Sequence, residues 1–317
     1  MRDLQRRLMA AGVAVADDDP GQFGPSTHDA VCAFQRLRGL HESGRCDEST
    51  WLALVEAGWT LGDRLLLLSA PHLRGDDVVE LQQTLNQLGF DCGRPDGILG
   101  PATIRALQDF QRNCGLVVDG ICGPLCVRML NLLRRQTGSG PGVASVRESE
   151  SMLSHSSLRT LRVVIGQFGG LSSIARSVSR ALRDDGATVM STDEYEAAVQ
   201  AAAANRFGAS AYVGFEARSD ARTLVSYFAV PAFESVGGRA LAAHVSDQLR
   251  ATSLPRPELQ GMRLPVLRET RMPAVLCSLG PVREAVDAAD AVTTAIVAAV
   301  TLWSTSPLSE QAAAVSH

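Results

Sequence analysis

Between residues 76 and 89 apolar side chains recur at three- and four-residue steps, at Val78, Leu81, Leu85 and Leu88. That spacing lays one apolar stripe along a helix, and Gly89 is placed to end it in the left-handed region. A second helix is predicted to begin at Gly100-Pro101, with Ile104, Leu107 and Phe110 on one face and Gly115 at its C-terminal cap. A third follows Gly123-Pro124. Asp96-Gly97-Ile98-Leu99-Gly100-Pro101 and Asp119-Gly120-Ile121-Cys122-Gly123-Pro124 put the same turn chemistry before helices two and three. Aspartate accepts local backbone N–H groups, glycine supplies positive φ, and proline opens a helix.

The same grammar occurs earlier in the chain. Gly24-Pro25-x-Thr27, Phe34-Gln35 and Gly39-Leu40 return 76 residues later as Gly100-Pro101-x-Thr103, Phe110-Gln111 and Gly115-Leu116. Leu4-Gln5 and Leu8 answer Leu81-Gln82 and Leu85 at an offset of 77. Two related three-helix modules are therefore expected at 1–58 and 76–133. The first departs at two turns: Asp19-Pro20-Gly21 stands where Asp96-Gly97 does later, and Ser43-Gly44-Arg45-Cys46-Asp47 precedes a third helix that begins differently.

Past Arg134 the pattern changes to a glycine- and serine-rich run, read as a linker over 134–160. From Leu161 apolar β-branched runs alternate with helical periodicity. Strands are predicted at 162–165, 188–190, 211–215, 224–230 and 274–279, and helices at 174–182, 194–205, 238–249 and 285–302. This alternation argues an α/β domain over 161–303 with a largely parallel sheet. A flexible tail is expected over 304–317, whose serines and threonine offer hydroxyls for phosphorylation.

Composition narrows the classes. The chain has 317 residues, 45% apolar and 20% charged, enough for more than one packed core. Its formal charge of −4, with every one of its 30 basic residues an arginine, argues against nucleic acid as a partner. Seven cysteines form no evident pairing scheme, and residues 1–11 read as a polar amphipathic helix without an apolar signal core. No apolar run reaches the 18 or more residues needed to cross a bilayer. Together these lead to the expectation of reduced thiols and a cytoplasmic chain.

The leucine-glutamine first helix, the Asp-Gly-x-x-Gly-Pro-x-Thr turn and the phenylalanine-glutamine helix closely resemble the peptidoglycan-binding-like module attached to bacterial cell-wall hydrolases. The resemblance implies contact with glycan or stem peptide, for which Asp96 and Asp119 are the candidate ligand-binding residues. Packing and turn geometry explain most of the same positions. The second half, over 161–303, resembles the zinc-dependent N-acetylmuramoyl-L-alanine amidases. It does so through Gly169-Gly170 after the first strand and through Leu267-Arg268-Glu269-Thr270-Arg271-Met272-Pro273-Ala274 leading to Leu279-Gly280. The full layout, including Trp59-Thr60-Leu61-Gly62-Asp63-Arg64 and Gly75-Asp76-Asp77-Val78, is similar to an actinobacterial branch of that family. Its relatives are associated with control of precursor synthesis inside the cell.

An active member of that family implies a zinc held by histidine and carboxylate ligands, with an open position for water, and a glutamate that moves protons. Matched residue by residue, the first histidine falls on Phe168 and the aspartate before it on Ile165. No acidic residue lies between Gly170 and Asp184, where the acidic ligand is due. The second histidine falls on Glu216, the asparagine after it on Arg218, and the catalytic glutamate on Ser278. Pro281 and Glu284 replace the aromatic and asparagine beyond. The expectation is a pseudoenzyme with no catalytic residues, no metal and no cofactor.

Other chemistries are weaker. Cys277 with His244 would make a thiol nucleophile and base, but a cysteine in an apolar strand behaves as a small hydrophobe. Cys122 and Cys126 share a helical spacing that could ligate metal, although Cys46 repeats Cys122 and argues packing. Arg134-Arg135 answers a helix C-terminus. The leading expectation is a noncatalytic cytoplasmic regulator or adaptor of cell-wall biogenesis. Its partners would be peptidoglycan or its precursors, with a cell-wall biosynthetic enzyme or membrane protein. The alternatives are an exported, peptidoglycan-cleaving amidase and a glycan-binding module on which the second domain merely packs.

Overall fold

The computed structural model describes residues 1–134, 143, 146, 148, 157–230 and 233–306. Most of the expected linker, and the tail beyond Ser306, lie outside the described residues. Contacts divide the chain into two units, Met1–Val146 and Arg147–His317.

The described residues of the first unit include α1 (Arg2–Ala10), α2 (Pro25–Leu37), α3 (Glu48–Glu56), α4 (Asp76–Gln87), α5 (Pro101–Asn113) and α6 (Pro124–Arg134). Two small cores match the repeat. Leu4, Leu8, Val31, Phe34 and Leu54 pack in one, and Val78, Leu81, Leu85, Leu107, Phe110 and Leu130 in the other. Gly89 and Gly115 take φ of 91° and 66° beyond the ends of α4 and α5, the conformation a left-handed cap needs. The third helices start differently. Asp47 caps α3 by accepting from Thr50 N at 2.8 Å, whereas α6 opens at Pro124.

Arg64 is one of the residues that tie down the segment between the modules. Arg64 donates from Nε to Asp77 Oδ2 at 2.7 Å and from Nη2 to the Arg74 carbonyl at 2.8 Å, with its guanidinium 4.4 Å from the Trp59 ring centroid. A side chain at Gly75 would sit 2.2 Å from Asp77 Oδ1, so that position must stay bare. Arg38, at the end of α2, meets Asp76 at the start of α4 with 2.5 Å between Nη2 and Oδ2.

In the second unit a 3-10 turn (Leu158–Thr160) precedes the first strand, and its Leu158 is buried in the domain core. The order is then β1 (Arg162–Gln167), α7 (Ser172–Asp184), β2 (Thr188–Thr192), α8 (Ala197–Phe207), β3 (Ala211–Ala217), β4 (Thr223–Val230), β5 (Phe233–Glu234) and α9 (Val236–Leu249). β6 (Pro257–Met262), α10 (Pro265–Glu269), β7 (Ala274–Leu279), α11 (Val282–Asp287) and α12 (Ala289–Thr305) complete it. The seven strands make one mixed sheet, β2-β1-β3-β7-β4-β5, with β6 also on β4. β2, β1, β3 and β7 are mutually parallel, and β4 runs antiparallel to β7.

Three sequence readings are corrected. The single closing helix over 285–302 is two helices, because Ala288 (φ −92°, ψ 13°) leaves helical geometry between α11 and α12. The tail does not begin at 304. α12 continues to Thr305, and Ser304 and Thr305 return their hydroxyls to the carbonyls of Thr301 and Leu302, so helix and polar side chain are satisfied together. Strand β6 was not predicted. Its Pro257, Glu258, Gln260 and Gly261 break strict alternation, which a strand paired only to β4 tolerates.

Candidate functional site

Strands β1, β3 and β7 are parallel neighbours in the middle of the sheet, so their C-terminal ends form one edge, where open α/β sheets place ligands. The two-residue period decides which side chains meet there. Val164, Tyr212, Leu276 and Ala274 face one core cluster, while Val163, Ile165, Val213, Phe215 and Cys277 face the other. Continuing the first set outward gives Phe168, Glu216 and Ser278. The three positions singled out from the sequence therefore share one face and one edge.

Their chemistry differs from position to position. Phe168 packs its ring on the cluster formed with Val164 and Tyr212, and its N–H donates to the Phe215 carbonyl at 2.9 Å. Glu216 and Ser278 are register partners, and Ser278 Oγ donates to Glu216 Oε2 at 2.8 Å. Ser278 is fully buried. Ile165, on the opposite face, is buried in hydrocarbon. The Gly169-Gly170 turn has φ of 100° and 78°, and a Cβ on Gly170 would lie 2.6 Å from that of Ala217. Here glycine is required by both conformation and space.

Arg218 lies just past the end of β3. Its guanidinium forks onto Asp220 with both contacts at 2.7 Å, and that hydrogen bonding holds the Asp220 carboxyl below the usual aspartate range. Its backbone links β3 to the start of α11, donating to the Leu279 carbonyl and accepting from Val282 N. Pro281 precedes α11, and Glu284 is exposed in its first turn.

Beneath the edge lies a polar pair that the sequence reading did not single out. Tyr212, fully buried, donates from its hydroxyl to Gln200 Oε1 at 2.7 Å, and Gln200 Nε2 donates to the Gln167 carbonyl at 3.0 Å. Burial pushes the Tyr212 phenol well above its ordinary pKa. A Cβ at Gly166 would meet the Tyr212 hydroxyl at 2.2 Å, and one at Gly214 would meet the ring at 2.9 Å. Gly214, inside the predicted strand 211–215, was the available signal, since an interior strand glycine marks a close approach.

A zinc centre of the amidase type fits this donor set poorly. Phenylalanine has no lone pair to give. The Glu216 carboxylate is committed to Ser278, and a serine hydroxyl is a weak substitute for a carboxylate base. Among the described residues, no three histidine, cysteine, aspartate or glutamate side chains converge as metal ligands.

The other candidates are not brought together. Cys277 is fully buried on the opposite face from Ser278, with its thiol pushed up to about 12 by desolvation. His244, on α9, pairs its Nε2 with the Ser306 carbonyl at 3.3 Å. In the helical modules Asp96 and Asp119 sit in matching knots. Asp96 Oδ1 accepts from Gln82 Nε2 at 2.9 Å and Ile98 N at 2.8 Å. Asp119 Oδ1 accepts from Gln111 Nε2 at 2.8 Å and Ile121 N at 2.9 Å. Gln5 and Gln35 tie the corresponding turns of the first module to Thr27 and Thr50.

Paired helical modules followed by a mostly parallel α/β domain define a peptidoglycan-binding, amidase-type protein. The peptidoglycan binding domain family PG_binding_1 matches residues 1–54 and 74–130. The chain is 33% identical, over 316 aligned residues covering 88% of its own length and 76% of the relative's, to the N-acetylmuramoyl-L-alanine amidase CwlM of Mycobacterium tuberculosis. It belongs to that amidase family. The spore cortex-lytic enzyme of Bacillus cereus is 46% identical over 56 residues, 18% of this chain and 22% of that protein. Among solved structures, the N-acetylmuramyl-L-alanine amidase Ami1 of Mycobacterium smegmatis aligns with a TM-score of 0.41 at 17% identity. The alignment covers 48% of this chain and all of that one. Among the described residues, no helix is long and apolar enough to cross a membrane.

Proposed function

We propose that this chain is a noncatalytic regulator or adaptor of peptidoglycan biosynthesis, acting in the cytoplasm on a scaffold inherited from an amidase. The observation that carries the reading is the side-chain set at the β1-β3-β7 edge. Phe168, Glu216 and Ser278 stand where the family would place two histidines and a glutamate, and the carboxylate and hydroxyl are hydrogen-bonded to each other. Polarising a water for amide hydrolysis needs a Lewis acid and a base that can take its proton. This set offers no imidazole ligand, and its one carboxylate, Glu216, already accepts from the Ser278 hydroxyl.

In this reading the modules at 1–58 and 76–133 bind peptidoglycan or its precursors, with the Asp96 and Asp119 turns as contact points. The domain over 161–303 engages a cell-wall biosynthetic enzyme or a membrane protein. The family match of the modules supports the first part. A second reading, a peptidoglycan-cleaving amidase, is favoured by the name of the Mycobacterium tuberculosis relative. The full chain incubated with muropeptides and added zinc separates the two. The regulator reading expects no release of stem peptide from muramic acid. Release that a chelator abolishes establishes the hydrolase and removes the regulator.

A further inference from the structure

A cavity of about 230 Å³ opens at the C-terminal ends of β1 and β2, beside the first turns of α7. Ile165 and Ala175 form its apolar lining, and Gln167, Thr192, Arg176 and Asp193 belong to its polar lining. Open α/β sheets bind small molecules at this end of their strands. By the two-residue period Gln167 shares the face of Ile165, opposite Phe168, Glu216 and Ser278, so the cavity is separate from the β1-β3-β7 edge.

The arginines of α7 are used differently. Arg183 donates from Nη2 to the Val189 carbonyl at 3.0 Å and to Ser191 Oγ at 3.3 Å, which fastens the helix to β2, the outer strand of the sheet. Arg176, two turns earlier, has no hydrogen bond or ion pair among the described residues, and neither has Asp193, just past the end of β2. The two line one cavity without bonding to each other, so open space separates their charges. Arg176 also faces Arg180 four residues on, a repelling spacing, and no acidic residue stands on the helix before Asp184. Gln167 accepts the Gly169 N–H on Oε1 at 2.7 Å, which leaves its Nε2 as a further donor without an acceptor among the described residues.

We infer that this cavity binds a free α-amino acid as its zwitterion. The Arg176 guanidinium takes the carboxylate, for which its planar fork is suited, and Asp193 accepts from the ammonium group. Ile165 and Ala175 meet the ligand's hydrocarbon. A ligand with one charge is served less well. A simple anion meets the Asp193 carboxylate, and a simple amine meets Arg176. Size points the same way, since the volume lies below the roughly 300–1,000 Å³ of sites for drug-sized molecules and excludes a glycan strand. The inference stands apart from the noncatalytic reading, because none of these residues belongs to the face that carries Phe168, Glu216 and Ser278.

The test offers the standard amino acids one at a time to the full chain in saturation-transfer NMR, then titrates those that bind by calorimetry. At least one is expected to bind. Arg176→Gln and Asp193→Asn, both at exposed positions, should each weaken it by about tenfold or more and leave the far-UV circular dichroism unchanged. The N-acetyl derivative and the decarboxylated amine of the same amino acid, each lacking one charge, should bind about tenfold more weakly or worse. Three results overturn the inference: no amino acid binds, binding is indifferent to either substitution, or the N-acetyl derivative or inorganic phosphate binds as tightly as the amino acid, which would make the cavity an anion site.

Discussion

Asp77 is 1% exposed, and its charge is answered by the Arg64 fork at 2.7 and 3.1 Å. A buried carboxylate that loses its partner is far costlier than an exposed one, because desolvation is no longer offset. Arg64→Ala is therefore expected to lower the stability of the helical unit by about 3–5 kcal/mol. Arg64→Lys should cost less, since it keeps the charge while losing the fork and the stacking on Trp59. Urea unfolding followed by far-UV circular dichroism measures both, and equal losses for the two variants would contradict the assignment. The stretch from Trp59 to Val78 stood out in the sequence as a family mark, yet its clamp was not legible there. A sequence shows that Arg64, Gly75 and Asp77 are present, but not that one fork crosses a bare glycine to reach a buried carboxylate. Phe168, Glu216 and Ser278 were singled out by matching the family's motif residue by residue, and only the strand register shows that they share a face and an edge.

Helix starts carry much of the first unit's organisation, and several depend on ionised aspartates. Asp18, half-buried, accepts the N–H groups of Gly24 and Thr27 at the start of α2, and its hydrogen bonding to Thr27 depresses its pKa. Asp119 is depressed by the Ile121 N–H and then by Gln111. A carboxyl whose folded pKa lies below its unfolded value stabilises the fold above that unfolded value, near 3.8, and the contribution disappears as pH falls through the lower folded one. Acid titration followed by far-UV circular dichroism should thus show helical loss setting in below about pH 3.8. Asp119→Asn should flatten its share of that slope, and an unchanged acid profile would contradict the linkage. Helices with a clean three-to-four period were legible to within a few residues. The break at Ala288 and strand β6 were not. An alanine-rich run hides a turn between two helices, and a strand paired on one side has no strict apolar alternation to announce it.

At the scale of the whole chain, an amidase-family α/β domain brings Phe168, Glu216 and Ser278 to one edge of β1, β3 and β7. β3 and β7 run in parallel register, Gly169 and Gly170 take positive φ, and Arg218 ties β3 to the start of α11. The most direct measurement is a zinc titration of the chelator-stripped full chain, reading metal uptake by calorimetry for the native sequence and for Glu216→Ala in parallel. Thiols elsewhere in the chain contribute equally to both proteins, so the difference reports the β1-β3-β7 edge alone. The account predicts superimposable isotherms. A tight zinc equivalent in the native chain that Glu216→Ala removes would contradict it.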